Sequence, residues 1–185
     1  MATRLYAYDY PRPMVTVDAV VFTLAAEALD VLLIERKFPP FEGAWALPGG
    51  FVGMDEPLED AAARELEEET GVRGVRLEQF YAFGEPGRDP RGRTISVAHW
   101  GVADGTYCRP RAGDDAATAR WFPLASLPPL AFDHGLTIEY ALLRLRAALT
   151  DRKNRLALLP GTFSPEDCER FCSAVSGQSG RGDQI

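Results

Sequence analysis

The chain has 185 residues, of which 46% are hydrophobic and 25% charged, proportions that predict one main globular domain with a full-sized core. Its formal charge of −7 excludes a protein that binds nucleic acid by bulk positive charge, because phosphate contacts need a basic surface. No apolar run approaches the roughly 18 residues of a membrane span. The N-terminus lacks the apolar core of a signal peptide, so we expect a cytoplasmic protein with no membrane partner.

The first predicted elements are a hairpin and a helix. The runs "MVTVDAVVFTL" and "DVLLIER" predict two buried strands joined by a short loop. A Pro- and Gly-rich loop, "FPPFEGAWALPGGFV", then precedes a helix over residues 57–70. Asp55 or Glu56 is expected to cap this helix, Pro57 to occupy its first turn and Gly71 to follow its end.

Further strands are predicted near "VRLEQFYAFGE", "RTISVAHWGVAD" and "ARWFPL", and a second long helix over "HGLTIEYALLRLRAALT". Strands before and between two helices predict an α/β fold with a mixed sheet between helices. Ser164, with Asp167 three residues on, predicts a capping box for a short third helix. The predicted divisions are an N-terminal arm (1–13), a main domain (14–150), a helical extension (151–176) and a disordered tail (177–185).

The first helix places acidic residues on its apolar side. At about 100° per residue, Glu65 and Glu69 fall among its apolar positions, and Glu68 lies on the shoulder of that arc. Like charges at these spacings repel by a few tenths of a kcal/mol per pair, and burial raises their pKa values unless a cation lies among them. A solvated acidic face explains Glu67 but not these three acids. Carboxylates beside the carbonyls of a Gly-rich loop suit Mg2+ or Mn2+.

Residues 50–72 resemble the Nudix box. Five residues separate Gly50 from Glu56, seven more lead to "RELEEETGV", and every defined position of the box is occupied. The flanking pattern extends the resemblance over about residues 15–149. It implies a Nudix-type α/β/α sandwich with a mixed β-sheet, and a hydrolase that cleaves the diphosphate of a nucleoside diphosphate linked to another moiety.

The resemblance also implies roles for residues of the box. Three glutamates match its catalytic, metal-binding acids: Glu65, Glu68 and Glu69. The Gly49 carbonyl is expected to be a further ligand of the Mg2+ or Mn2+ ion. Arg64 is expected to hold Glu65 or Glu68 by a charge-assisted bond, and Glu56 to orient the whole set.

Three segments, "WALPGGFV", "RDPRGRTISVAHW" and "GDDAATARWFPL", resemble the ADP-ribose diphosphatase branch and the Nudix domains of regulators of NAD metabolism. The expected reaction is hydrolysis of ADP-ribose to AMP and ribose 5-phosphate. Four arginines are candidates for phosphate or ribose contacts, with a solvated loop as the alternative for the last three: Arg36, Arg88, Arg91 and Arg93. Three aromatic residues are candidates to stack on adenine, although a core position is the more common role for an aromatic residue in a strand: Trp45, Phe83 and Trp100.

The sequence also suggests roles for three residues outside the box. Asp114 and Asp115 are candidates for an additional general base, which some relatives use, and they fit a loop turn just as well. His134, in "FDH", is expected to be a structural or interface residue.

The second interpretation is a ligand-sensing module. In the regulator-like relatives a Nudix domain senses ADP-ribose or a related nucleotide, and a winged helix binds DNA. Here "LALLPGTFSPEDCERFCSAV" resembles the linker and first helix of such a domain. We expect no DNA binding, because little sequence follows to supply a recognition helix and residues 151–185 carry balanced charge. The intact box favours turnover, and the aromatic N-terminal arm predicts a homodimer, as in ADP-ribose hydrolases.

Overall fold

The computed structural model describes residues 8–25, 28–105, 108–111, 116–151 and 158–177. Its helices and strands follow the predicted order closely, and the hairpin and all three helices are confirmed. The elements are β1 Met14–Ala25, β2 Ala28–Arg36, β3 Trp45–Ala46, β4 Gly49–Phe51, α1 Leu58–Thr70, β5 Glu78–Phe83, β6 Thr94–Val102, β7 Ala116–Pro123, a 3-10 turn Leu124–Ser126, α2 His134–Thr150 and α3 Pro165–Gly177.

The strands form a mixed sheet in the order β3-β2-β1-β6-β5, with β4 added along β1 and β7 along β2. Strands β1 and β6 run parallel and the other pairs antiparallel. The centres of β1 and β2 are buried on both faces, which explains their continuous hydrophobic runs. The pairing of β1 with β4 sets Asp18 opposite Gly49, and this contact positions the candidate site.

Helices cover both faces of the sheet, as the predicted α/β/α sandwich requires. On one face α1 packs Ala61 and Ala62 against Val17 and Val97 of β1 and β6. The largest core cluster lies on the other face and joins the sheet to both remaining helices. Its buried members include Val20, Phe22, Leu33 and Trp100 from the sheet, Ile138 and Leu145 from α2, and Phe171 and Val175 from α3.

The start of α1 differs from the prediction. Pro57 lies at the N-cap position with no capping side-chain hydrogen bond, so the expectation that Asp55 or Glu56 caps the helix is wrong. Glu56 instead accepts two hydrogen bonds from the Arg64 guanidinium, so both of its oxygens are already in charge-assisted contacts. Gly71 follows the end of the helix in the left-handed conformation with φ 70°, as predicted.

Helix α3 begins with the predicted capping box. The Asp167 N–H donates to Ser164 Oγ at 3.1 Å, and the Ser164 N–H donates to Asp167 Oδ2 at 3.0 Å. In the described part of the chain, Cys108, Cys168 and Cys172 form no disulfide. None of the helices described is long and apolar enough to cross a bilayer.

Candidate active site

The acids of α1 differ in their exposure. Glu69 is 8% exposed and lies beside the buried Leu66, whereas the Glu65 side chain is 14% exposed and that of Glu68 is 59% exposed. Two of the three acids therefore point towards the interior and the third lies at the rim. Three other acids of the helix lie on its outer side, with Glu67 paired to Arg73: Glu59, Asp60 and Glu67.

Arg64 connects the acids of the box through its guanidinium group. Its Nε and Nη2 donate to the two oxygens of Glu56 at 3.0 and 2.7 Å. Its Nη1 donates to Glu65 at 2.7 Å and to Glu68 at 3.0 Å. The hydrogen bonds from Arg64 and from the Gly53 N–H lower the pKa of Glu56 to about 2, so this carboxylate is ionised at neutral pH.

Glu69 is held from the other side of the site by backbone. The Gly49 N–H donates to Glu69 Oε2 at 2.9 Å. Burial nevertheless raises the pKa of Glu69, and with the smaller effect of the nearby Glu65 and Asp18 carboxylates the pKa reaches about 8 in spite of that hydrogen bond. Burial also raises the pKa of Glu65, against the hydrogen bond from Arg64. The two inward acids thus carry an electrostatic cost in the protein alone.

Gly50 is required by the close approach of β4 to this helix. A Cβ atom at position 50 would lie 2.5 Å from Cδ of Glu65 and 2.6 Å from its Oε2. Gly49 is equally constrained, because a Cβ there would meet the Val17 carbonyl and Asp18. Both glycines therefore allow the acids of α1 to lie directly against the β1–β4 pair.

These residues fit a divalent cation that is bound in part by water and substrate. Among the described residues, no three acidic, His or Cys side chains already converge on a point that could hold an ion. The donor chemistry still fits, because a cation would favour the ionised forms of Glu65 and Glu69, whose pKa values burial raises. Magnesium and manganese prefer such oxygens and keep positions for water and phosphate.

A cleft of about 330 Å³ opens beside these acids. It combines carboxylates, cations and aromatic rings in one space. Its lining includes the acids Asp18, Glu65, Glu69 and Asp89, the cations Arg36, Lys37, Arg88 and Arg91, the rings of Phe38, Phe51 and Phe132, and His134. A space of this size lined by both acids and cations can hold a metal-bound diphosphate.

Three of the four arginines proposed from the sequence line the cleft. Arg88 is not in a solvated loop, because its side chain is 5% exposed and its Nε donates to Asp133 Oδ2 at 2.8 Å. Arg91 is 38% exposed and makes two-pronged contacts with the buried Asp89. Arg36 donates from Nε to the Pro40 carbonyl at 2.8 Å. Arg36 and Arg91 are therefore positioned near the cleft, whereas Arg88 is committed to an ion pair.

Four other substrate-contact candidates are not among the residues that line the cleft. Trp100 is 3% exposed and Phe83 is 5% exposed, so packing against neighbouring side chains explains both. Trp45 packs against Phe122, with ring centroids 4.5 Å apart. Arg93 is exposed and donates to the Thr94 carbonyl at 3.3 Å. Asp114 and Asp115 lie outside the described residues.

Sequence reasoning missed a buried polar cluster beneath the cleft. Asp18 is 7% exposed and accepts a hydrogen bond from Ser96, and its carboxylate lies 3.8 Å from Arg88 Nη2 and 3.6 Å from His134 Nε2. The Leu47 N–H donates to His134 Nδ1 at 2.9 Å, and burial lowers the His134 pKa, so the ring is neutral and structural, as expected. The sequence did contain one indication of this cluster, because Asp18 is the single acidic residue in the apolar run "VTVDAVVF" and a buried acid needs polar partners.

The chain is similar to known proteins over most of its length. The family model for the NUDIX domain matches residues 12–141. An ADP-ribose pyrophosphatase of Methanocaldococcus jannaschii is 42% identical over 130 residues, which are 70% of this chain and 73% of the relative. The ADPR responsive transcriptional repressor NtrR of Acinetobacter baylyi is 31% identical over 175 residues, or 92% of this chain and 70% of the relative. The NUDIX domain of Shewanella oneidensis NrtR, solved with ADP ribose, has a TM-score of 0.70 at 38% identity, covering 75% of this chain and 94% of that chain.

Proposed function

The chain belongs to the Nudix family of hydrolases, and from that premise we propose that it hydrolyses ADP-ribose to AMP and ribose 5-phosphate with Mg2+ or Mn2+. The observation that carries this proposal is the pair of buried carboxylates, Glu65 and Glu69, which line one cleft with Arg36 and Arg91. The 42% identity to an ADP-ribose pyrophosphatase and the ADP-ribose complex of a similar domain support the choice of substrate.

In this proposal the residues of the box hold the metal and the reacting water. Glu65, Glu68, Glu69 and the Gly49 carbonyl would bind the ion, which when bound neutralises charge on the diphosphate and lowers the pKa of a bound water. Arg64 keeps Glu65 and Glu68 in place, because one nitrogen donates to both. Glu56 fixes the guanidinium in turn. Asp114 or Asp115 would be an additional base.

The cations of the cleft would bind the phosphates and the sugar. Arg36 and Arg91 line the cleft and are held by the Pro40 carbonyl and by Asp89, so their positions are set before substrate arrives. A preorganised guanidinium loses little entropy when it contacts a phosphate. Arg88 would act indirectly by holding Asp133 at the start of α2.

The test is incubation of the protein with ADP-ribose and either metal, with chromatographic detection of AMP and ribose 5-phosphate. The Glu69→Gln variant should lose at least 100-fold in kcat, because the amide cannot supply a negative charge to the ion. Glu67→Gln is the matched control on the same helix and should retain activity, since Glu67 pairs with Arg73 outside the cleft. If the protein binds ADP-ribose but does not hydrolyse it with either metal, the proposed enzymatic activity is wrong.

A second candidate function is a sensor of ADP-ribose without turnover. The similarity to the ADPR responsive repressor NtrR over 92% of this chain favours it. This candidate predicts tight ADP-ribose binding that Glu69→Gln leaves unchanged. A mobility-shift assay with DNA separates a repressor-like protein from the one proposed here, which binds a nucleoside diphosphate derivative and no nucleic acid.

The assembly and location are also proposals. We propose a cytoplasmic homodimer whose interface includes the N-terminal arm, residues 1–13, on the basis of its aromatic sequence. Light scattering on the full chain tests this assembly, and a monomer would rule it out.

A further inference from the structure

The short stretch of residues 47–49 joins β3 to β4 and carries the Gly49 carbonyl, the backbone ligand proposed for the metal ion. Its middle residue is a proline, which has no N–H, so the stretch has a backbone donor only at each end. The Gly49 N–H donates to Glu69 Oε2 of α1, and the Leu47 N–H donates to His134 Nδ1 of α2, each at 2.9 Å. One side chain from each of these helices therefore anchors the stretch.

The His134 ring supplies an acceptor that the backbone does not. Just before this point the two chain segments lie side by side, because Trp45 and Leu130 form a parallel bridge and the Ala131 N–H donates to the Trp45 carbonyl at 2.8 Å. A continued parallel ladder would offer the Ala131 carbonyl to the Leu47 N–H. That carbonyl instead accepts from the His134 N–H at 3.3 Å, where α2 begins. The imidazole therefore satisfies a donor that the turn into the helix leaves without a carbonyl.

The polar cluster beneath the cleft sets the orientation of this ring. Because Nδ1 accepts from Leu47, the proton of the neutral His134 ring lies on Nε2, 3.6 Å from Asp18 Oδ1. Asp18 is itself fixed by a hydrogen bond from Ser96, and it is the β1 residue opposite Gly49. His134 is 4% exposed, so bulk water does not compete for either nitrogen. The acceptor nitrogen is thus directed at the stretch before any ligand binds.

The anchor at Leu47 controls the position of Gly49. Leu47 is 2% exposed, and without the His134 ring its buried N–H would lose its acceptor. The backbone is then expected to move, because a buried N–H without a partner is costly. Gly49 packs directly against β1, where an added Cβ atom would lie 2.7 Å from Asp18 Oδ1, so even a small movement changes its contacts.

We propose that His134 is a positioning residue for the metal site: by accepting the Leu47 N–H, it fixes the Gly49 carbonyl and the N–H that contacts Glu69. This inference rests on the proposed function for the metal ion itself. It gives the first residue of α2, far from the box in sequence, control over how tightly the box binds its ion. His134 acts in this role through the backbone of residues 47–49.

The test measures Mn2+ binding to the full chain without substrate, from the electron paramagnetic resonance signal of free Mn2+. Wild type should bind the ion. His134→Leu removes the acceptor and keeps a side chain of similar size, and it should weaken Mn2+ binding by about 10-fold or more. His134→Asn keeps a carbonyl oxygen near the position of Nδ1 and should bind Mn2+ within about 2-fold of wild type. If His134→Leu fails to fold by circular dichroism, His134→Gln carries the same expectation, because its amide lies one carbon further from the backbone.

Leu145→Ala is the matched control, because Leu145 is a fully buried residue of the same helix about three turns from His134. It should lower the thermal midpoint and leave the Mn2+ affinity, measured below that midpoint, within about 2-fold of wild type. A second measurement reports the ring directly. A long-range proton–nitrogen NMR spectrum of wild type should show the His134 proton on Nε2 and no proton on Nδ1.

Several results would overturn the positioning role. These are a wild type that binds no Mn2+ without substrate, a His134→Leu affinity within about 2-fold of wild type, a His134→Asn affinity no better than that of His134→Leu, an equal loss in Leu145→Ala, or a proton on Nδ1. His134-dependent Mn2+ binding without ADP-ribose hydrolysis would instead overturn the proposed reaction and leave the positioning role standing. Hydrolysis of ADP-ribose with a Mn2+ affinity that does not depend on His134 would overturn the positioning role alone.

Discussion

At the scale of single residues, Glu69 links the chemistry of the site to the stability of the fold. Its carboxyl is nearly buried, and burial raises its pKa from 4.5 to about 8 in the folded protein. Burying this ionisable carboxyl in place of a neutral residue lowers the free energy of unfolding. The proposed cation would offset that cost only when it is bound. A residue so unfavourable to the free protein is expected at a functional site rather than in a core.

This pKa predicts how the stability of the metal-free protein depends on pH. Between about pH 5 and pH 8 the folded state keeps a proton on Glu69 that the unfolded state has released, so raising the pH destabilises the fold by on the order of a few kcal/mol. Glu69→Gln has no such proton and should lose less stability across this range. Urea unfolding of wild type and Glu69→Gln in EDTA at several pH values measures this difference. If the free energy of unfolding changed with pH equally in both proteins, the raised pKa of Glu69 would be contradicted.

Gly50→Ala should impair the site and spare the fold. The added Cβ would meet the Glu65 carboxylate, the far end of a side chain that can move, so the helix and sheet need not shift. We expect kcat/KM for ADP-ribose to fall at least 10-fold while the thermal midpoint changes by a few degrees at most. Gly135→Ala is the control, because its Cβ would be 3.9 Å from Leu130 Cδ1, an ordinary contact. A fully active Gly50→Ala enzyme would show that Glu65 tolerates displacement.

At the scale of elements, the buried Arg88–Asp133 pair joins the β5–β6 loop to the start of α2. Arg88→Met removes the cation from both Asp133 and Asp18, and Asp133→Asn leaves Arg88 with only the longer 3.8 Å contact to Asp18, so each variant should cost about 2–4 kcal/mol. The double variant should cost less than the sum of the two single losses, because the Arg88–Asp133 contact can be lost only once. Urea denaturation of the three variants measures the coupling.

Arg93→Met is the control for this pair, since Arg93 lies in the same loop with its side chain exposed. Its effect should stay within about 0.5 kcal/mol. Additive losses in the double variant would mean that the two side chains stabilise separate elements.

At the scale of the whole molecule, α3 packs as part of the core although its sequence resembles the start of another domain. Phe171 is fully buried and shares the largest cluster with Leu145 of α2 and Trp100 of β6. Phe171→Ala should therefore cost about 3–5 kcal/mol, measured by urea unfolding, because it leaves a cavity under the sheet. Ser173→Ala, exposed on the same helix, should cost less than about 0.5 kcal/mol. A small effect of Phe171→Ala on the free energy of unfolding would contradict the conclusion that α3 is part of the core.

The sequence by itself determined those features that depend on spacing along the chain. Helical periodicity placed Glu65 and Glu69 on the apolar side of α1, and the hydrophobic runs defined β1 and β2. Gly71 after α1 and the Ser164 capping box were also predictable, because a cap depends on residues within one turn. The fixed gaps of the box identified the family.

Only the tertiary structure decided which distant residues share the cleft. Strand periodicity cannot say which face of a buried strand such as β6 meets a site, so Trp100 was a candidate stacking residue until packing placed it in the core. Asp18, Arg88 and Phe132 line this cleft from β1, the β5–β6 loop and the turn before α2, and they are separated by many residues in sequence. Long-range packing brings them to one cleft, and local propensity carries no information about which distant residues will meet.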